Sequence, residues 1–211
     1  MPLPCTLHFI LASNSPRRAA LLRDAGYSFE VIAPDPNRES GPLLDESAEH
    51  HVARLATEKA ALVAAELSRA RKVAFEKGPN AHASNRLIIA ADTVAECVGE
   101  ILGKPLDRDH ARQMLRQLRG KPHRVLTGLC LWQYPQGPQR SEIDVTLLKM
   151  SPLSDAEIEE YLDSDRWRGK AGAFGYQDGN DWVQIVAGSP SNVVGLPMEL
   201  LSRMLRAFSV P

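Results

Sequence analysis

Residues 7–18 read Leu7-His8-Phe9-Ile10-Leu11-Ala12-Ser13-Asn14-Ser15-Pro16-Arg17-Arg18. The apolar run Leu7–Ala12 has the length of a strand, and it stops at a helix start. Ser15 can cap the helix, and Pro16 suits its first position because the N–H that proline lacks would have no partner there. Ala19, Leu21, Leu22 and Ala25 continue the helix, Gly26 closes it, and a second strand is expected over Phe29–Ala33. Strand, capped helix and strand in succession begin a mixed α/β chain.

The remaining sequence extends that pattern. From Ser47 to Ala70, Val52, Leu55, Ala56, Lys59, Ala60, Leu62 and Val63 recur at spacings of three and four, the period of a long helix. Phe75–Asn85, rich in Gly, Pro, Asn, Ser and His, reads as an exposed loop. Leu87–Ala91 is continuously apolar, as a buried strand is, and is expected to end at Asp92. A hairpin follows over Ala95–Leu102, turning near Gly99-Glu100, then an amphipathic helix over Asp107–Leu118 closed by Gly120. His123–Tyr134 and Arg140–Met150 form a predicted antiparallel pair. Ser154-Asp155-Ala156-Glu157 is a capping box opening a helix through Leu162. A strand over Asp181–Ala187 and a final helix over Pro197–Phe208 complete the reading. No repeat or domain-scale linker interrupts it, so residues 1–211 are expected to form one domain of two interleaved lobes around a central cleft, with a mixed sheet flanked by helices.

Composition narrows the function classes. With 25 Lys+Arg against 26 Asp+Glu, the net charge of −1 lacks the basic excess of a protein that grips a nucleic-acid backbone. Cys5, Cys97 and Cys130 form no CxxC pair, and they suit reduced thiols in a reducing compartment. No apolar stretch approaches the roughly 20 residues of a membrane span, and the N-terminus lacks a signal-peptide pattern. A cytoplasmic location is expected, with neither nucleic acid nor membrane as partner.

Four stretches could carry chemistry. Ser13–Arg18 places two guanidiniums in the first turn of a helix, where acidic residues are usual. Helix starts attract phosphate, so an anionic ligand would explain them, although both could face solvent. Asp92, at the end of an apolar run, could bind, cap or act as a base, and magnesium needs few carboxylates. Lys104 stands between Gly103 and Pro105 without a P-loop context. Lys170–Gly179, followed by Asn192–Pro197, sets small residues around Phe174, which implies close backbone approach to a ligand or a neighbouring strand, and Gln177 could read a base edge. His50-His51 has no second ligand pair and is expected to face solvent, while Trp132, Trp167 and Trp182 are expected to be core or contact residues.

In order, LASNSPRRAALL, LATEKA, AADTV, GEILGKP, HRVLTGLCL, GKAGAFGYQDG and NVVGLP resemble the Maf family of nucleoside triphosphate pyrophosphatases, over about Leu11–Leu205. The resemblance implies a two-lobed Maf/ITPase-like α/β fold that often dimerises to a homodimer. It implies hydrolysis of a nucleoside triphosphate between the α- and β-phosphates with a divalent cation, Mg²⁺ or Mn²⁺. By motif, Ser13, Arg17 and Arg18 would hold phosphates, Lys59 and Lys104 would add positive charge, and Thr93 and Gln177 would complete the substrate contacts. Asp92 would be the catalytic carboxylate, with Lys104 assisting. Relatives carry an acidic pair after the second strand, but here the stretch is Asp35-Pro36-Asn37-Arg38-Glu39. Glu39 is the expected second carboxylate for catalysis and metal beside Asp92, with Asp35 as second choice. SPRR, ADT and GYQ resemble the dTTP/UTP branch rather than the 7-methyl-GTP branch, which tends to carry an aromatic at Arg17 and Gln at Thr93. Modified pyrimidine triphosphates, or a nucleotide-binding regulator of cell division with little turnover, are the alternatives.

Overall fold

The apolar run Leu87–Ala91 is only the first half of a strand. In the computed structural model, which describes residues 8–76 and 86–208, that strand runs Arg86–Cys97 as β3. It does not end at Asp92, because its neighbour β5 (Pro122–Tyr134) pairs with it along Arg86–Glu96, matching Asp92 to Gly128 and Thr93 to Thr127. Polarity at Asp92 marks a change of surroundings there, and the ladder of main-chain bonds continues through it.

Around β3 the sheet takes the order β2-β1-β3-β5-β6-β7, with β4 paired to β3. β1 (His8–Leu11), β2 (Phe29–Val31) and β3 are parallel. β4 (Glu100–Leu102), β5, β6 (Gln139–Met150) and β7 (Val183–Ala187) join antiparallel. The expected Ala95–Leu102 hairpin is present, with Val98 and Gly99 at its turn, both at positive φ. A mixed sheet flanked by helices is therefore the fold.

Alternation along β3 sorts the layers. Leu87, Ile89 and Ala91 pack with Leu22 of α1 (Pro16–Asp24) and with Leu200, Leu201 and Met204 of α6 (Met198–Phe208). Ile88 and Ala90 face the other way, against Ala56, Ala60 and Val63 of α2 (Ala48–Glu76). A third cluster joins Leu115 and Leu118 of α3 (Arg108–Leu118) to Ile158 and Leu162 of α4 (Asp155–Asp163), Leu148 of β6 and Trp167. Each such fully buried side chain contributes about 1.5–3 kcal/mol. Asp92 and Thr93 continue the alternation, so Asp92 turns toward α2 and Thr93 toward the opposite layer.

One edge of β3 explains where a cleft can form. β1 ends at Leu11, level with Ile89, and the antiparallel β4 reaches back only to Ala95, which its last residue Leu102 opposes. Both lie on the edge away from β5, and among the described residues no strand pairs with the stretch around Asp92 and Thr93 on that side. The chain leaves β1 at Ala12, whose N–H donates to the Ile89 carbonyl, and turns at once into α1. The turn from β1 into α1 borders that gap at one end and β4 at the other.

Local signals account for the helix starts. Ser15 Oγ accepts from the Arg18 N–H, Asp107 from His110 N–H, and Ser154 with Glu157 forms the capping box in both directions. α2 continues to Glu76, six residues past the predicted end, and takes in the first residues of the expected loop. Residues 77–85, like Cys5, lie outside the described residues. His51 is not solvent-facing: it is 7% exposed, and its Nδ1 lies 2.9 Å from Glu46 Oε2, which supplies the partner that lets an imidazole sit inward. A short helix α5 (Pro190–Val194) was not expected, although Ser189-Pro190 repeats the Ser-Pro start of α1. Cys97 and Cys130 are free and buried. Among the described residues no helix is long and apolar enough to cross a membrane.

Candidate active site

A cleft of about 560 Å³ opens at the gap beside β3, lined by the Ser13–Arg18 turn, Glu39, Lys59, Thr93, Lys104, the Arg168–Gln177 segment and the end of α5. Its first wall is built by α1. Arg18 Nε donates to the Gly195 carbonyl at 2.7 Å, Nη1 to Ser13 Oγ at 3.2 Å and Nη2 to Thr93 Oγ1 at 3.0 Å. A guanidinium has five N–H groups, so two remain after these bonds. Gly195 has φ +117°, a conformation that L side chains rarely adopt, and an added Cβ would come within 3.4 Å of Thr93 Oγ1 and 3.5 Å of Arg18 Nε. Arg17 Nη2 donates to the Gly169 carbonyl at 2.9 Å. Burial lowers the pKa of both arginines, opposed by Asp178 at Arg17 and by Asp92 at Arg18. Guanidinium nevertheless stays charged in the physiological range.

At the floor, Lys59 Nζ lies 2.5 Å from Asp92 Oδ1 and 3.3 Å from Glu39 Oε2. α2 reaches this position because Gly128, the cross-strand partner of Asp92, has no side chain. A Cβ there would stand 2.2 Å from the Val52 carbonyl oxygen of α2. Helix and sheet thus touch backbone to backbone, and Lys59, 9% exposed, spans the short distance left. Lys59 hydrogen-bonds Asp92 through Oδ1, which leaves Oδ2 outside that bond.

The opposite wall carries more charge than the sequence reading assigned to it. Lys104 is exposed to the cleft, yet burial by the surrounding protein lowers its pKa, and Lys59 and Arg18 lower it further against Asp92 and Glu39. Lys170, 8% exposed, contacts both oxygens of Asp178, at 2.5 Å from Oδ1, and the Tyr161 hydroxyl donates to Asp178 Oδ2 at 3.0 Å. Gly172 N–H donates to the Gly103 carbonyl at 3.0 Å, which ties this segment to the Lys104 turn. Gln177 lines the cleft from an exposed position.

Similarity to known proteins agrees in extent with these contacts. The model of the Maf-like protein family matches residues 8–208. This chain belongs to the Maf family. It is 50% identical over 202 residues to the dTTP/UTP pyrophosphatase of Rhodopirellula baltica, covering 94% of this chain and 81% of that one. It is 40% identical over 192 residues to the dTTP/UTP pyrophosphatase of Geotalea uraniireducens, covering 90% of each. The solved Ham1 protein of Staphylococcus aureus aligns over 95% of this Maf chain and 98% of its own, at 11% identity and TM-score 0.47. That likeness is too loose to inform the site.

Within this Maf protein, Ser13, Arg17, Arg18, Glu39, Lys59, Thr93, Lys104 and Gln177 all line one cleft, and Asp92 stands behind Lys59. Asp35 takes another part. It is exposed, and its Oδ1 accepts from Asn37 N–H at 3.0 Å, capping the turn Pro36–Arg38 whose far end presents Glu39. Arg168 and Lys170 also line the cleft and were not singled out. Arg168 stacks over Trp167 at 4.5 Å and bonds Asp165, so nothing local in the sequence distinguishes it from a surface arginine. Lys170 could have been found as the one cation opening the glycine-rich stretch.

Proposed function

We propose that this Maf protein hydrolyses nucleoside triphosphates, dTTP and UTP foremost, to the nucleoside monophosphate and pyrophosphate. One observation carries the reading: Arg17, Arg18 and Lys104 come from distant parts of the chain to one cleft, beside the carboxylate of Asp92 that Lys59 fixes. A triphosphate tail is the small polyanion that such a set suits, and the names of the relatives supply the pyrimidine base.

The residues divide the work as follows. The free N–H groups of Arg18, with Arg17 and Ser13, hold phosphate oxygens at the start of α1. Asp92, oriented by Lys59, takes a proton from the water that attacks the α-phosphorus. The bond from that phosphorus to the bridging oxygen breaks, and the electron pair leaves with pyrophosphate, where Lys104 and Arg17 meet the growing charge. Gln177 offers a paired donor and acceptor to the base edge.

Asp92 and Glu39 are the residues that would hold a divalent cation. They converge on Lys59 at 2.5 and 3.3 Å, and among the described residues no cluster of three His, Cys, Asp or Glu occurs. A two-carboxylate donor set fits Mg²⁺ or Mn²⁺, which keep waters and take further ligands from substrate phosphates. Such an ion supplies an acidified water and a counter-charge for the phosphates.

A triphosphate panel with product identification tests the reading. Monophosphate and pyrophosphate from dTTP and UTP, with kcat reduced about 10²–10⁴-fold in Asp92→Asn, are expected. Orthophosphate as the product overturns the bond assignment, and tight binding without turnover under either metal favours the regulator instead. Glu39→Ala is expected to raise the metal concentration needed for activity more than Asp35→Ala, since Asp35 is engaged in capping its own turn.

A further inference from the structure

Thr127 is fully buried on β5 and does not line the cleft, yet its hydroxyl sits one bond behind the group that holds Arg18. Thr93 Oγ1 accepts from Arg18 Nη2 at 3.0 Å and lies 2.9 Å from Thr127 Oγ1, which in turn lies 3.2 Å from the Asn192 carbonyl oxygen. A hydroxyl has one proton, and a carbonyl has none. A bond to the Asn192 carbonyl, which also accepts from the Gly195 N–H at 3.0 Å, needs the Thr127 proton, and with that proton so used the contact between the two threonines runs from Thr93 to Thr127. That turns the Thr93 proton away from Arg18 and leaves a lone pair facing the guanidinium. The other use of the Thr93 proton is the Gly195 carbonyl at 3.4 Å, which already accepts from Arg18 Nε at 2.7 Å.

The far end of this line of hydroxyls is a buried, hydrogen-bonded asparagine. Asn192 is fully buried, and its Nδ2 donates to the Val125 carbonyl at 3.1 Å and to Thr146 Oγ1 at 2.9 Å. Flipping the amide would set its oxygen against the Val125 carbonyl, so its orientation is fixed by chemistry. Asn192 thus anchors a line of donation that runs from Arg18 through Thr93 and Thr127 to main chain.

We propose that Thr127 is a positioning residue for Arg18: its hydroxyl fixes the direction of the Thr93 proton and so presents the guanidinium with an acceptor. The proposal rests on the reading of Arg18 as a phosphate-holding group. It makes a buried strand threonine a determinant of triphosphate affinity, acting entirely through two side chains in front of it.

The test compares Thr127→Val and Thr127→Ser in the full chain, by calorimetric affinity for inorganic tripolyphosphate and by dTTP kinetics. Thr127→Val is expected to weaken tripolyphosphate binding and lower kcat/KM about five- to tenfold, the scale of one hydrogen bond, while Thr127→Ser stays within about twofold of the parent. In an Arg18→Met background Thr127→Val should add less than about twofold, because its effect passes through Arg18. Should the valine variant not fold, Thr127→Cys, a poor donor of similar size, must show the same loss relative to serine. Binding by Thr127→Val equal to the parent, or an equal loss with Arg18 already removed, overturns the proposal. A parent protein that neither binds tripolyphosphate nor hydrolyses any triphosphate overturns the functional reading itself, which is a separate outcome.

Discussion

Arg18 and Lys170, on opposite walls of the cleft, are held in opposite ways. On the α1 wall, Arg18 is bonded by the Gly195 carbonyl, Ser13 and Thr93, and Arg17 by the Gly169 carbonyl. All four partners are neutral oxygens. On the far wall Lys170 meets both oxygens of Asp178, which also receives the Tyr161 hydroxyl. Neutral acceptors fix a guanidinium without cancelling its charge, so it stays available to an anion. A carboxylate cancels the charge, and the pair becomes a strut between two parts of the backbone, here the ends of the 170–178 segment that carries Gln177. Lys59 belongs to the second kind, and what it braces is Asp92.

The comparison breaks first at Lys170. Lys170→Met leaves the Asp178 carboxylate buried without its cation, and denaturant unfolding should show a loss of about 3–5 kcal/mol. Replacing both partners, as Lys170→Met with Asp178→Leu, should recover much of it. A Lys170→Met protein with full stability and lost catalysis would place Lys170 among the anion-binding cations. Next comes Arg18→Met, for which kcat/KM should fall about 10²–10³-fold while the melting temperature moves little. A large stability loss there would make Arg18 a strut as well.

Lys104 sharpens the contrast through pH. Burial first, then Lys59 and Arg18, lower its pKa, so it loses its proton at a lower pH than a free lysine. The rate of triphosphate hydrolysis should therefore fall on the alkaline side before the ordinary lysine range, and Lys104→Arg should move that limb to higher pH. An unmoved limb would remove Lys104 from the charge-stabilising set.

The smallest effect lies outside the cleft, at another carboxylate-paired cation. Arg54 hydrogen-bonds to Glu46 and, against burial and with help from His51, holds its carboxyl at about 2. A depressed folded pKa contributes stability above the unfolded value and loses it as pH falls from there toward 2. Over that window the parent should lose about 1 kcal/mol more than Glu46→Gln in urea unfolding. Parallel curves for the two would show that this pair contributes nothing measurable.

The legible parts were those encoded over a few neighbouring residues. Ser15-Pro16 and Ser154–Glu157 announce their helices because a cap joins residues two or three apart, and Leu87–Ala91 announces a buried strand by its unbroken apolarity. The end of β3 was misjudged because Asp92 looks like a boundary locally, whereas the strand is held by β5, about 36 residues later along the chain. His51 looked solvent-facing because its partner Glu46 lies in the preceding turn and says nothing of its contact by periodicity. In the site, the motif residues were readable as types, and Thr127 and Asn192 fall within HRVLTGLCL and NVVGLP, but their part in the site was not legible, since a buried threonine and a buried asparagine resemble any others until their bonds are traced.

Sequence alone determined which groups this protein has for its chemistry: paired arginines on a capped helix start, a carboxylate after an apolar run, and lysines set in small-residue turns. Those are properties of single residues and their near neighbours, so they survive without coordinates. Only the tertiary structure decided which cations keep their charge for a ligand and which are cancelled. That depends on distances of 2.5–3.5 Å between residues far apart in the chain, and no local pattern encodes them.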